Sequence, residues 1–324
     1  MNDRLPASPP VGQRLAGRMV AVSISVADDQ ARMGYTADYM DRVLQAILLP
    51  AVTEGATIAY GGRIEHEHNY TLVLSSQLGE AYRRMEQRPG RRPFVHFVAL
   101  HRFQATAPAQ LLTHLRTLAP YGEIWVTGRD GVLASFAAAT PEQSALSACQ
   151  GPGFGADAAL DIVQGLDGLL ACPTYAAVMA QAAPDPSESF TQMRRQMAAL
   201  CHARVLVGGR STGFSGPISG LCEEALATLA AQRPLFVLGG FGGASRDIAI
   251  ALGLLDANAA VPALASPDRE RYEAGLAMLR AARPSWQAMF PDAAVAERLR
   301  TLARTESLAD ASRILGGLMI GLLA

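Results

Sequence analysis

The sequence predicts a Rossmann-like α/β fold, in which helices cover both faces of a mainly parallel sheet and further helices follow at the C-terminus. Three observations support this prediction. Short apolar, β-branched runs alternate with segments of helical length, the pattern of a parallel sheet buried on both faces. Half of the 324 residues are hydrophobic and only 18% are charged, so a large core can form. Three of the predicted strands run directly into paired glycines.

The predicted elements define a central domain with two flanking segments. Strands are expected near 19–24, 56–60, 93–98, 123–127, 204–207 and 234–238. Helices are expected near 36–54, 71–87, 190–202, 217–232 and 243–254. We therefore place the domain at 19–255, with 100–189 unassigned as a candidate insertion. Residues 1–18 are predicted as a flexible tail, and 256–324 as a helical extension with breaks at Pro284 and Pro291.

Composition excludes several classes of function. The formal net charge is -1, so the positive field typical of nucleic-acid binding proteins is missing. All 28 basic residues are arginines, which excludes Schiff-base chemistry and a Walker-type phosphate lysine. The four cysteines have no disulfide or zinc spacing, and the N-terminus has no apolar signal-peptide segment. These features predict a cytoplasmic protein without a metal or cofactor.

The most apolar segment lies at the C-terminus, at residues 314–323. It is shorter than the roughly 20 residues that a membrane-spanning helix needs. We therefore predict no membrane contact and a helix that is buried against the domain or in a homodimer or higher homo-oligomer.

The paired glycines predict a ligand site. They follow the strands ending at Tyr60, Val207 and Leu238. In a parallel sheet these ends share one edge, where the next helices present unpaired N–H groups and a partial positive charge. The small-residue loop from Ser211 to Gly220 is expected to offer several N–H groups to one anion. This pattern predicts a ligand that carries both an anionic group and a sugar.

Charged residues near these loops extend the predicted site. Arg63, Arg194 and Arg210 are candidate phosphate partners, because a guanidinium can bind phosphate through two parallel hydrogen bonds. The doublet of His66 and His68 lacks a third metal ligand, so no metal site is predicted.

The second half of the chain resembles the SLOG superfamily of LOG- and DprA-like domains, and most of all its sensor branch, which is related to the N-terminal domain of TRPM channels. The resemblance rests on the Arg194–Met197 helix motif, Gly208-Gly209-Arg210, the segment from Ser219 to Ala225, and Gly239–Ala244. It also covers Ser23-Ile24-Ser25 and Tyr60-Gly61-Gly62-Arg63, and extends over about 18–90 and 187–255. The ligand-binding residues predicted from the glycine loops and the resemblance are Ser23, Ser25, Gly61, Gly62, Arg63, Arg194, Gly208, Gly209, Arg210, Gly213, Gly216, Ser219, Gly220, Gly239, Gly240, Phe241, Gly242 and Gly243.

The resemblance leaves three functional hypotheses. The first is a sensor or binding domain for a nucleotide-derived molecule such as NAD, ADP-ribose or a related cyclic signal. The second is a nucleoside-monophosphate N-glycosidase that uses Glu223 or Glu224, which could equally stabilise only the first turn of a helix. Against hydrolysis, the stretch from Gly239 to Asp247 lacks the glutamate of the superfamily's hydrolase signature. The third, a DprA-like binder of single-stranded DNA, is disfavoured by the absent basic excess and the sparse aromatic residues.

Overall fold

The computed structural model describes residues 13–62, 64, 70–85, 91–139, 160–214, 216–260 and 266–324. Its centre is an eight-stranded sheet with the order β6-β5-β4-β3-β2-β1-β7-β8. The only antiparallel pair of this sheet is β4 with β5; its other neighbouring strands run parallel. The strands are β1 (Met19–Ser25), β2 (Thr57–Gly61), β3 (Phe94–Ala99), β4 (Gly122–Thr127), β5 (Val132–Ala138), β6 (Leu160–Val163), β7 (Ala203–Gly208) and β8 (Leu235–Leu238).

Twelve α-helices are present in the described part of the chain. They are α1 (Ala37–Thr53), α2 (Tyr70–Arg84), α3 (Leu100–Ala105), α4 (Pro108–Leu118), α5 (Gly165–Leu170), α6 (Pro173–Met179), α7 (Pro186–Leu200), α8 (Gly220–Ala230), α9 (Gly243–Ala251), α10 (Arg269–Ala288), α11 (Ala293–Arg304) and α12 (Leu308–Leu323). The predicted Rossmann-like α/β fold is confirmed, and the glycine ends of β2, β7 and β8 lie at one edge of the sheet.

Both faces of the sheet are buried, which explains why its strands read as continuous apolar runs. Alternate residues of β1 point to opposite faces: Val20 and Val22 join the larger hydrophobic cluster, whereas Met19 and Ala21 join a smaller one. Helix α7 packs against β1, β2, β3 and β4 on the side of the smaller cluster. The amphipathic α7 is therefore fixed across the middle of the sheet, beside the ends of β1 and β2.

Residues 100–189, the candidate insertion in which only the strand near 123–127 was predicted, extend the same sheet. The described part contributes β4, β5 and β6 at one edge, with α3–α6 beside them. Strand β5 was not predicted. It follows β4 without a helix between them, whereas the prediction depended on strands and helices that alternate.

Two local expectations are wrong. Residues 13–18 of the predicted tail pack onto the domain, because Leu15 is fully buried and its N–H donates to the Glu54 carbonyl at 2.8 Å. Pro284 lies inside α10 instead of ending a helix. It occupies an exposed position, where the carbonyl group that loses its helical partner can be hydrated.

The apolar C-terminal helix α12 is buried within the chain. It packs against α1, and Gly316 lies so close to Pro50 that an added Cβ would approach the Pro50 Cβ to 2.8 Å. The prediction of burial against the domain is confirmed. The helix that motivated the prediction of a homo-oligomer is thus covered by its own chain. Homo-oligomerisation stays a prediction. None of the described helices has both the length and the apolar character needed to cross a membrane.

Candidate functional site

A cavity of about 420 Å³ lies at the carboxyl ends of β1 and β2, beside the loop that follows β7. This edge of a parallel sheet is where ligands usually bind. The volume falls within the range of roughly 300–1,000 Å³ that is typical of small-molecule sites. Helix α7 and the start of α8 complete the walls. The cavity therefore lies at the carboxyl edge of the sheet, and its use as a ligand site stays a prediction.

More than half of the predicted ligand-binding residues line this cavity. Strand β1 contributes serines, the end of β2 contributes glycines, α7 contributes an arginine, and the segment between β7 and α8 contributes the others. They are Ser23, Ser25, Gly61, Gly62, Arg194, Arg210, Gly213, Gly216, Ser219 and Gly220.

The other predicted residues do not belong to the cavity lining. They are Gly208, Gly209, Gly239, Gly240, Phe241, Gly242 and Gly243. The prediction for Arg63 lies outside the described residues, as does the doublet of His66 and His68.

The glycines after β8 serve close packing with the C-terminal helices. A Cβ at Gly240 would lie 2.7 Å from the carbonyl carbon of Thr305 and 3.0 Å from the carbonyl oxygen of Arg304. Gly243 has φ +66 and donates its N–H to Asp29 at 2.9 Å. These contacts explain the glycines without a ligand. Of the three glycine pairs, only Gly61 and Gly62 line the cavity.

The two candidate catalytic carboxylates lie in an ion-pair cluster at the start of α8. Glu223 pairs with Arg194, and Oε1 of Glu224 lies 3.5 Å from Nε of the same arginine. Oε2 of Glu224 also accepts a 3.0 Å hydrogen bond from Nη1 of Arg204, which further donates to Oγ of Ser23 at 2.7 Å. Glu224 belongs to the cavity lining, whereas Glu223 does not.

Arg204 was missed by the sequence analysis, although it is the anchor of this cluster. Its side chain is 1% exposed, and its Nε donates to Oγ1 of Thr228 at 2.9 Å. The available signal was a charged residue in the otherwise apolar run of β7, since a buried charge requires partners nearby.

The loop after β7 does not present its first N–H groups to the cavity. The N–H groups of Ser211 and Thr212 donate to Oδ2 of Asp28 at 2.8 and 3.0 Å, and that of Gly213 donates to Oδ2 of Asp268 at 2.7 Å. Carboxylates of the chain therefore already accept the hydrogen bonds of these three groups, and an anion contact by the loop from Ser211 to Gly220 stays a prediction.

The start of α8 brings a helix N-terminus and Arg210 to the cavity, beside the ion pairs of Arg194 with Glu223 and Glu224. The N-cap Ser219 and the first residue Gly220 line the cavity, so the positive end of the helix dipole opens into it. A Cβ at Gly220 would lie 2.9 Å from Nη2 of Arg194, so glycine lets the guanidinium cross the helix start. Arg210 is exposed on the cavity wall and has no ion pair with any other described residue.

Four aromatic side chains in the cavity wall were not predicted: Tyr60, Tyr70, Phe190 and Phe214. Burial, followed by the charge of Asp41, raises the pKa of Tyr70 to about 12, so its hydroxyl stays protonated at neutral pH. Phe214 could have been noticed as an aromatic residue in a loop of otherwise small residues. The wall therefore combines apolar ring faces with arginines and a helix N-terminus.

Comparison with known proteins identifies the family. The family model described as SLOG cluster2 matches residues 14–136 and 175–306, which together make up well over half of the chain. The chain belongs to the SLOG cluster2 family. In this SLOG protein the matched residues include most of the cavity wall and continue through α10 and α11, beyond the segments that carried the sequence resemblance. The relationship to the TRPM-related sensor branch stays a prediction.

No curated protein and no solved structure matches this SLOG protein. Within the described ranges, no cluster of three or more histidine, cysteine, aspartate or glutamate side chains could hold a metal ion. Family membership indicates a small, nucleotide-like ligand, and the cavity is a site of suitable size for one.

Proposed function

We propose that this SLOG protein binds and senses a nucleotide-derived small molecule of the class of NAD, ADP-ribose or a related cyclic signal. The observation that carries the proposal is the start of α8, which opens between Arg194 and Arg210 into a cavity of about 420 Å³. A helix N-terminus beside the guanidinium group of Arg210 favours a phosphate, because the dipole and this charge act on the same anion, and Arg194 can donate further hydrogen bonds to it.

The rest of the cavity suits the other parts of a nucleotide. Glu224 and the β1 residue Ser25 line the wall and supply oxygen atoms that can accept hydrogen bonds from sugar hydroxyl groups. Aromatic rings such as those of Phe190 and Phe214 can stack on a planar base. Glycine at positions 61 and 62 leaves the end of β2 without side chains, so a ligand can approach its backbone.

Calorimetry with NAD, ADP-ribose and adenosine monophosphate tests the proposal. Arg210→Ala should weaken binding about ten- to hundredfold, because it removes a charge-assisted hydrogen-bonded pair worth roughly 1.5–3 kcal/mol. Arg195→Ala is the matched control, since Arg195 is exposed on α7 and does not line the cavity. Failure of the wild type to bind any of the three nucleotides would exclude this ligand class. Equal losses in both variants would place the site elsewhere.

The second candidate function is the N-glycosidase, and the position of Glu224 in the cavity wall favours it. Its carboxylate could activate the water that attacks the anomeric carbon, while the bond to the base breaks. Incubation with nucleoside monophosphates should then release free base, and Glu224→Gln should abolish the release without preventing binding. Binding without any released base would leave the sensor as the function.

A further inference from the structure

The loop that carries Phe214 is braced by the start of α10, a helix far away in sequence. The N–H of Gly213 donates to Oδ2 of Asp268 at 2.7 Å, and Asp268 pairs with Arg271. Nη1 of Arg271 donates to the carbonyl oxygen of Gly216 at 2.6 Å. Two residues of one helical turn therefore hold the loop on both sides of Phe214.

Arg271 also contacts the aromatic ring directly. Its guanidinium carbon lies 4.8 Å from the centroid of the Phe214 ring, within the distance of a cation–π contact. The ring is half-buried and belongs to the cavity wall. Arg271 thus restrains the ring by its side chain and the loop by its hydrogen bonds, and it does so without lining the cavity itself.

We propose that Phe214 is the stacking surface for the planar ring of the ligand, and that Asp268 and Arg271 are positioning residues that hold it in place. This inference rests on the proposed function. It says that the contact of Arg271 with Phe214 makes the protein prefer ligands that carry a base over ligands that lack one. A pre-ordered ring loses little entropy when a base stacks on it, so the brace increases affinity for base-bearing ligands.

The test compares adenosine monophosphate with ribose 5-phosphate, which keeps the sugar and phosphate but lacks the base. Calorimetry on the full chain should show that Phe214→Ala weakens binding of adenosine monophosphate about ten- to hundredfold. Binding of ribose 5-phosphate should change less than about twofold, because no ring is present to stack. Phe214→Leu retains an apolar side chain without a flat ring and should show the same selectivity if Phe214→Ala fails to fold.

The brace is tested by a double-mutant cycle. Arg271→Ala should weaken only the binding of adenosine monophosphate, and the double variant with Phe214→Ala should lose no more than Phe214→Ala alone. Arg269→Ala is the matched control, because Arg269 is exposed in the same turn of α10.

Two results would overturn the inference while leaving the proposed function intact. One is an equal effect of Phe214→Leu on both probes, or no effect on either. The other is additive losses from the two single variants, since Arg271 would then not act through Phe214. If the wild type binds neither probe, the proposed function itself fails and the inference fails with it.

Discussion

Replacing Glu224 by glutamine should destabilise the protein far more than the same replacement at its neighbour Glu223. Glu224 is the carboxylate partner of Arg204, whose side chain is 1% exposed. Without it, the buried guanidinium keeps only the hydroxyl groups of Ser23 and Thr228 as hydrogen-bond acceptors, and its Nη2 already has no partner among the described residues.

The magnitude follows from this burial. Removing one partner of a buried ion pair costs about 3–5 kcal/mol of unfolding free energy, because a charge is left buried without compensation. We expect about 3 kcal/mol for Glu224→Gln, since the amide oxygen can still accept a hydrogen bond. Glu223→Gln should cost about 1 kcal/mol, because Arg194 lies at 16% exposure and retains Glu224 at 3.5 Å.

Urea denaturation measures both values, with fluorescence of the buried Trp125 and Trp286 as the signal. The slope against urea should stay constant, so that the shift in midpoint reports stability alone. A loss for Glu224→Gln no larger than that for Glu223→Gln would refute the assignment of Glu224 as the partner of a buried charge. The comparison also provides the stability correction that any activity measurement on Glu224 variants requires.

Two further predictions concern packing and pH. Gly240→Ala should lower the free energy of unfolding by about 2–3 kcal/mol, because the added methyl group meets the Thr305 backbone. Gly321→Ala should raise it by roughly 0.5–1 kcal/mol, because the added methyl group meets no atom within 4 Å and alanine favours the helix α12. Thermal or urea unfolding compares the two variants, and equal stability would contradict the packing argument. Burial, followed by the charge of His114, lowers the pKa of His96 well below 6.5, so this residue contributes stability that is present above pH 6.5 and is lost as the pH falls. Urea titrations between pH 7 and 5 should show a slope from this group approaching about 1.4 kcal/mol per pH unit, and an identical slope in His96→Gln would assign the effect to other groups.

The sequence predicted the parts of the fold that depend on local periodicity and on chain order. Continuous apolar runs identified β1, β2, β3, β4, β7 and β8, because strands buried on both faces carry this pattern whatever they pair with. Helix α8 was predicted near 217–232, and it begins at Gly220, after the loop of small residues. The family resemblance came from the same segments, and family membership is confirmed.

The cavity wall could be predicted only where the chain itself leads into the sheet edge. Gly61 and Gly62 lie at the end of β2, and Arg210 lies two residues after β7, so topology alone brings them together. The paired glycines after β8 also lie at a strand end, but Gly239 meets the Ala303 carbonyl oxygen and Gly240 the Thr305 backbone, because the C-terminal helices occupy the space next to them. A pair of glycines in the sequence can make room for a ligand or for a neighbouring segment of backbone, and the sequence does not distinguish the two.

The contacts that define the cavity chemistry were decided by tertiary structure. Asp28 and Asp268 accept the loop N–H groups that an anion would otherwise contact, and Arg271 reaches Phe214 from a helix that begins more than fifty residues later. Local propensity carries no information about such partners, because electrostatic and packing energies depend on distances that exist only after folding. The chain order therefore determined where this protein has its cavity, and the packing of α10 and α11 determined which groups around it are left to meet a ligand.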